Sequence, residues 1–473
     1  MSARDEICGW SATRIAAAVR GRELSRSEVV EAHLERIERV NPAVNAIVQL
    51  RGDEALAEAR AADDAGVQRG PLDGVPVTIK EHYDVAGMVC SEGSVSLADR
   101  RSPVDCVAVE RLRDAGAIVI GKTNQPDFAM RWNTISGLYG TTRNPRDLAL
   151  SAGGASGGDA AAVAGGLAPI GLGSDLGGSI RVPATFCGIC GLRATSGRIP
   201  NTIALPPRDG TPVRDHMNSP GPLARDVSDL GLALSVLGGA HPSDPATPPV
   251  PAPAESGVDG RPVTVARMVT ETGATVTAEV QDQVDRAADA LREAGYEVVD
   301  AAIPSAAEAP DLWGRIVGTE LLQFAIPKFR GQMEATCLDH IESLLALFEI
   351  SDRVEPYIEA WVHRRRLARE TADWMEKHPL VLTPVAGMAP PRLDFDHLLG
   401  REAIAALFDA MRNVVWVPLL GLPAVALPSG VQIVARRFHE AEALAAADVV
   451  LRALGPVEIA AGAEVARSMA DLG

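Results

Sequence analysis

SAGGASGGDAAAVAGGLAPIGLGSDLGGSIRVPATFCGICGLRAT, running from Ser151 to Thr195, is the stretch from which the fold is read. Two glycine-rich turns, Gly153 to Gly158 and Gly173 to Gly178, bracket an Ala-rich run and a short apolar one, which predicts loop, helix, strand and loop. Glycine lacks a Cβ and tolerates strained dihedrals, so each turn can bring bare backbone N–H groups close to a ligand. Ser179 follows Gly177-Gly178 at a predicted helix start, where unpaired N–H groups and the helix dipole favour a developing negative charge. The pattern predicts a site for an oxyanion.

Composition narrows what such a site serves. The chain has 473 residues, enough for a large core, and leaves one or two domains open. With 47% hydrophobic but only 4% aromatic residues, the core must be built from Ala, Val, Leu and Ile. A formal net charge of −17 repels nucleic acid and anionic membranes and excludes a phosphate-tracking groove. No basic-plus-apolar secretory signal is read in MSARDEICGWSATRIAAAV, and no apolar run is read as approaching the roughly 18–20 residues of a membrane span. A cytoplasmic protein is expected, with no nucleic-acid or membrane partner. The six cysteines fit a reducing compartment. Cys187-x-x-Cys190 lacks the second pair of a zinc site and is read as buried packing thiols.

Along the chain, Ser25 and Glu28 form a capping box for a helix with Val30, Leu34 and Ile37 on one face, ended by Asn41-Pro42. A second helix covers about 52–64. Pro71 to Lys80 then delivers a β-branched strand to a lysine. Residues 108–115 read as helix and 117–120 as a buried strand. The loop FAMRWNTISGLYG, starting at Phe128, is rich in large side chains; Phe128, Met130 and Trp132 either wall a pocket or pack beneath the loop. Pro density over 238–257 predicts an extended linker. Beyond it, Val263 to Ala266, a helix with Val280, Val284, Ala287 and Leu291 on one face, and Tyr296 to Val299 read as a parallel βαβ unit. Residues 309–377 are helical in pattern.

Gly173-Ser174-Asp175-Leu176-Gly177-Gly178-Ser179-Ile180-Arg181-Val182-Pro183-Ala184 resembles the G-[ST]-D-x-GGS-[IV]-R-x-PA signature of the amidase signature family of serine hydrolases. The segment from Gly74 to Lys80 resembles its GVPxxxK strand, and Gly121-Lys-Thr-Asn124 and Gly140 to Pro145 match as well. The resemblance implies one α/β domain over 1–473, with a central mixed, largely parallel β-sheet covered by helices on both faces. Its core halves are about 1–237 and 258–473, and its variable substrate-access region is about 309–377. It implies a Ser–cisSer–Lys triad with Ser179 as nucleophile and Lys80 as base. The backbone N–H groups of Leu176, Gly177 and Gly178 are the implied oxyanion hole, and Ala129 and Met130, with Trp132, the implied substrate contacts. Ser156, Asp175 and Arg181 are read as supports behind them, and His82 as the histidine nearest the site. The substrate implied is a small-molecule amide, anilide or carbamate, with no cofactor and no metal, and with a homodimer left open.

One position departs from the pattern. Where the family carries the middle serine, this chain has Ala155. A methyl group can neither donate nor accept a proton, so hydrolysis is expected to be severely impaired. Three explanations stand: a serine-to-alanine substitution made to trap a ligand, natural variation with Ser156 or water substituting, and a non-catalytic relative. Gly154-Ala155-Ser156-Gly157-Gly158 also satisfies the G-x-S-x-G elbow of α/β-hydrolases, but NPRDLALSAGG before it is not read as a strand, and no Asp and His follow in motif context. No Gly-Lys-Ser/Thr follows the glycines, which excludes a phosphate-binding P-loop. The chain also resembles the A-type component of the tRNA-dependent amidotransferase, although Val182 stands where that protein has Gln.

Overall fold

The computed structural model describes residues 3–202, 210–250, 263–393, 395–396 and 400–460. Eleven strands form one sheet: β1 (Ile47–Leu50), β2 (Pro76–Lys80), β3 (Ile118–Thr123), β4 (Ile170–Asp175), β5 (Cys190–Arg193), β6 (Ser219–Ala224), β7 (Thr264–Arg267), β8 (Glu297–Asp300), β9 (Leu380–Pro384), β10 (Ala424–Ala426) and β11 (Val431–Ala435). The spatial order is β1-β3-β2-β4-β6-β5-β10-β11-β9-β7-β8. Pairing is parallel across β3-β2-β4 and across β9-β7-β8, and antiparallel elsewhere. The expected mixed α/β sheet is present, with the βαβ unit supplying its far edge.

Strand residues alternate between two cores, one on each face. Ile118 and Ile120 enter one, and Val119 enters the other. β2 is buried along its whole length, as its Val-Thr-Ile run and central place require, and Pro76 takes the first position, where a missing N–H costs least. The predicted Ala-rich helix spans Gly157–Ala164 with every residue buried. It lies so close to neighbouring backbone that a Cβ on Gly158 would come within 2.4 Å of Asn124 N and O. Small side chains therefore let this helix press onto the strands that carry the site, which is how a core poor in aromatics reaches close packing.

Three expectations need correction. The helix capped by the Ser25–Glu28 box does not stop at Asn41-Pro42 but runs Arg26–Val44 and ends at Asn45, in the left-handed conformation. Pro42 lies in the last turn, where one lost hydrogen bond is tolerated, and the Asn41 side chain accepts from Ala46 N and Ile47 N at 2.9 and 2.8 Å to guide the chain into β1. Second, a short strand does precede the first glycine turn: Asp147–Ser151 pairs with Arg143–Asn144 in a ribbon outside the main sheet. Third, Glu402–Leu420 is long and apolar enough to cross a membrane, the one such helix among the described residues. Its apolar surface is taken up by packing: most of it is buried, and Trp416 is fully enclosed. Of the expected linker over 238–257, residues 251–257 lie outside the described residues.

The region 309–377 is helical as expected, through Ala309–Glu320, Ala335–Leu345 and Val354–Met375. All six cysteines are buried and free, and burial pushes the Cys187 thiol up to about 12, which suits packing rather than redox chemistry.

Candidate active site

Two parallel neighbours, β2 and β4, finish side by side. Their register pairs Val77 with Ile170 and Ile79 with Leu172, so the next residues out are Lys80 on one strand and Gly173 and Ser174 on the other. Lys80 is fully buried, and its Nζ donates to Ser174 Oγ at 3.1 Å, its one hydrogen bond among the described residues. Burial drives its pKa well below the ordinary lysine value, against the opposing pull of Asp159, Asp175 and Glu92. Asp159, on the Gly157–Ala164 helix, is pushed up by the same burial. It accepts from Thr123 Oγ1 at 2.7 Å, and its other oxygen is unpartnered. Low polarity thus favours the neutral forms of both groups, and a neutral lysine amine can take up a proton.

After β4 the chain turns through Asp175 to Ile180 into a short helix, Arg181–Phe186. Ser179 lies two residues ahead of that helix and is partly exposed. Gly178 has φ +101°, a conformation that glycine adopts without strain, and a Cβ there would press on Val414 at 2.8 Å. Asp175 holds the turn from inside. Its carboxylate accepts from Gly178 N at 2.9 Å and Ile180 N at 3.2 Å, and pairs with Arg181 through two bonds of 2.9 Å. Burial would raise the Asp175 pKa, but the Arg181 charge and hydrogen bonds outweigh it and bring it down to about 2. The expected Asp175–Arg181 support is therefore an enclosed ion pair.

That geometry changes the expected donor set. The Gly178 N–H is taken by Asp175, whereas the N–H groups of Leu176, Gly177 and Ser179 have no acceptor among the described residues. The carbonyls of the same turn are held from the other side, Gly177 O by Trp132 Nε1 at 2.8 Å and Leu176 O by Trp313 Nε1 at 3.2 Å.

Ser179 opens on a cavity of about 260 Å³ whose wall includes Ala129, Met130, Trp132, Ser174, Leu176 and Gly177. Phe128 also faces it and stacks on Phe329 with ring centroids 4.6 Å apart. Trp132 is both wall and packing, being only 5% exposed. The cavity wall also includes the apolar Trp313, Val317, Leu321, Ile341 and Leu344 and the polar His82, Glu92, Asn201, Arg214 and Asn218. His82 Nδ1 meets Gln125 Oε1 at 2.8 Å, and burial and then Lys80 keep its ring neutral. His340, fully buried and held neutral by burial, joins the wall as a second histidine that the sequence did not single out.

Ala155 is fully buried, and the Gly154–Ala155 peptide is cis. Ser156 does not reach toward Lys80; its Oγ donates to Ser174 O and accepts from Ser174 N, both at 3.3 Å. Ser156 is fully buried, outside the cavity wall, and so cannot be the exposed nucleophile of an elbow despite the short strand before it. Ser174 stands inside the recognised signature, yet only the β2–β4 register reveals that it meets Lys80. Trp313 and His340 come from the helical region, and no local motif marks them.

The Amidase family model matches residues 28–444. The chain is 35% identical to the indoleacetamide hydrolase of Bradyrhizobium diazoefficiens over 93% of its own length and 86% of that protein's. It is 33% identical to the A-type component of the glutamyl-tRNA(Gln) amidotransferase of Anaeromyxobacter sp. (strain K), over 96% and 98% of the two chains. Among solved structures, a 6-aminohexanoate cyclic dimer hydrolase with its substrate superposes with a TM-score of 0.82 at 26% identity, covering 95% of this chain and 98% of that one.

Proposed function

The chain belongs to the amidase family and is an amidase acting on amide-type carbon–nitrogen bonds; from that premise we propose that it works through a seryl acyl-enzyme on Ser179, with Lys80 as the base and an aryl-bearing amide, anilide or carbamate as substrate. The observation that carries this reading is the buried Lys80, joined through Ser174 to the cavity on which Ser179 opens. In the proposed step Ser179 Oγ attacks the carbonyl carbon as its proton moves toward Lys80, and the N–H groups of Leu176, Gly177 and Ser179 receive the oxyanion. Collapse breaks the C–N bond with the proton returned to the leaving nitrogen, and water then releases the acyl group.

The aryl preference draws on Trp132, Trp313 and the aliphatic wall around them, which offer flat apolar contact, and on the indoleacetamide hydrolase relative. With Ala155 in place of the family's middle serine, we expect the chain to work far below the rate of its Ala155→Ser variant. A panel of arylacetamides, anilides, carbamates and linear aliphatic amides, assayed with both proteins, tests the reading. Arylacetamides should give the highest kcat/KM. A preference for short aliphatic amides would overturn the substrate class.

A second reading, the A-type component of a tRNA-dependent amidotransferase, is favoured by the 33% identity to such a protein. Val182 and the net charge of −17 weigh against it. Hydrolysis by the purified chain with no partner protein excludes it; activity only in a heteromeric complex would establish it.

A further inference from the structure

We propose that Ser174 carries the proton between Ser179 and Lys80 in this chain, in place of the hydroxyl that Ala155 lacks. The inference rests on the reading of Ser179 as nucleophile and Lys80 as base and adds a residue to it. Among the hydroxyls of the two glycine turns, Ser156 is occupied by the backbone of Ser174 on both its donor and acceptor sides. Ser174 has the opposite arrangement. Its backbone is fixed by Ser156 and by pairing opposite Pro220 on β6, while its Oγ lies 3.1 Å from Lys80 Nζ and the residue lines the same cavity as Ser179. Tyr83, buried, donates its hydroxyl to Gly173 O at 3.2 Å and also meets the Ser174 side chain.

The contact has Nζ donating when the lysine is charged. A neutral amine reverses it: Nζ accepts the Ser174 proton as Ser174 Oγ takes the proton of Ser179. The Ser179 Oγ–carbonyl carbon bond forms, and the carbonyl π pair moves onto oxygen. When that pair returns, the C–N bond breaks, and the reverse transfer from Lys80 through Ser174 protonates the leaving nitrogen. Water then attacks the acyl carbon as its proton passes through Ser174 to Lys80; collapse breaks the acyl carbon–Ser179 Oγ bond, the same proton returns through Ser174 to Ser179 Oγ, and the acid departs. The route needs no group beyond those named and water.

The test measures the rate at which an alkyl fluorophosphonate labels Ser179, which requires no knowledge of the natural substrate. Three residues at position 174 (Ser, Thr, Ala) are compared in the parent and in Ala155→Ser, each across pH, with Lys80→Ala as a control. In the parent, Ser174→Ala should slow labelling by on the order of 10²-fold and remove its rise with pH, while Ser174→Thr, which keeps a hydroxyl, stays within about fivefold. In Ala155→Ser the restored hydroxyl offers a second route, and Ser174→Ala should cost less than about tenfold. Equal losses in both backgrounds would make Ser174 a purely structural neighbour and overturn the proposal, as would a parent that labels no more slowly after Ser174→Ala. A parent that is not labelled while Ala155→Ser is labelled also overturns it. If Ser179 labels in neither, or if Lys80→Ala labels at full rate, the underlying nucleophile and base reading has failed, and the relay falls with it.

Discussion

Replacing Asp175 by Asn leaves the shape of the turn from Asp175 to Ile180 nearly intact and removes one charge. The carboxylate is fully enclosed, as is its bidentate partner Arg181, and Arg193 Nε lies 3.7 Å away with its own side chain buried. The variant therefore holds two guanidinium groups in the interior without their anion. Removing one partner of a buried pair costs about 3–5 kcal/mol, and the lost charge-assisted bonds to the turn fall within that range. The pH dependence supplies a second reading. Asp175 is depressed in the folded protein, so its stabilisation is present above the ordinary aspartate value and is lost as pH falls through about 2. That stabilisation is about 2 kcal/mol at neutral pH, of which about 1 kcal/mol should disappear between about pH 5 and pH 3. Urea unfolding of parent and variant at several pH values measures both effects. The parent should be the more stable by about 3–5 kcal/mol at pH 7, with the gap narrowing toward acid. A variant within about 1 kcal/mol of the parent, with a gap that does not change with pH, would refute the assignment of Asp175 as the anion that holds the turn.

Lys80→Ala should lower kcat by about 10²- to 10⁴-fold. With Lys80 as the proposed base and burial lowering its pKa, parent activity should rise with pH as Lys80 loses its proton, with a midpoint below that of free lysine, and the variant should lack that limb; an unchanged profile would remove Lys80 from the proposed mechanism. Ala155→Ser should raise kcat by on the order of 10²- to 10⁴-fold with little change in KM, since the proposed oxyanion donors and the cavity wall are untouched. No gain in that variant would show that this protein does not use the family's middle hydroxyl.

Local pattern made the capping box, the Ala-rich helix and the strand ending at Lys80 legible, because each depends on neighbours within a few residues. The family signature brought Ser179, Asp175 and Arg181 together in one turn. Pro42 misled because its effect depends on its place in the helix: in the last turn the lost bond is a small fraction of the packing that Val40 and Val44 gain in the core. The Gly178 N–H was assigned to the oxyanion because sequence does not show which way an Asp175 carboxylate points. Lys80 and Ser174 are 94 residues apart and meet only through β2–β4 register, and Trp313 reaches Leu176 O across 137 residues. Contacts of that range arise from tertiary packing and leave no periodic trace in a chain this long.

Mapping the covalent adduct formed by an alkyl fluorophosphonate tests the central claim most directly. After labelling of the Ala155→Ser protein and proteolysis, mass spectrometry should find a single added phosphonyl group on the peptide carrying Ser179, absent from a Ser179→Ala control. An adduct on Ser156 or Ser174, or undiminished labelling in that control, would contradict the account.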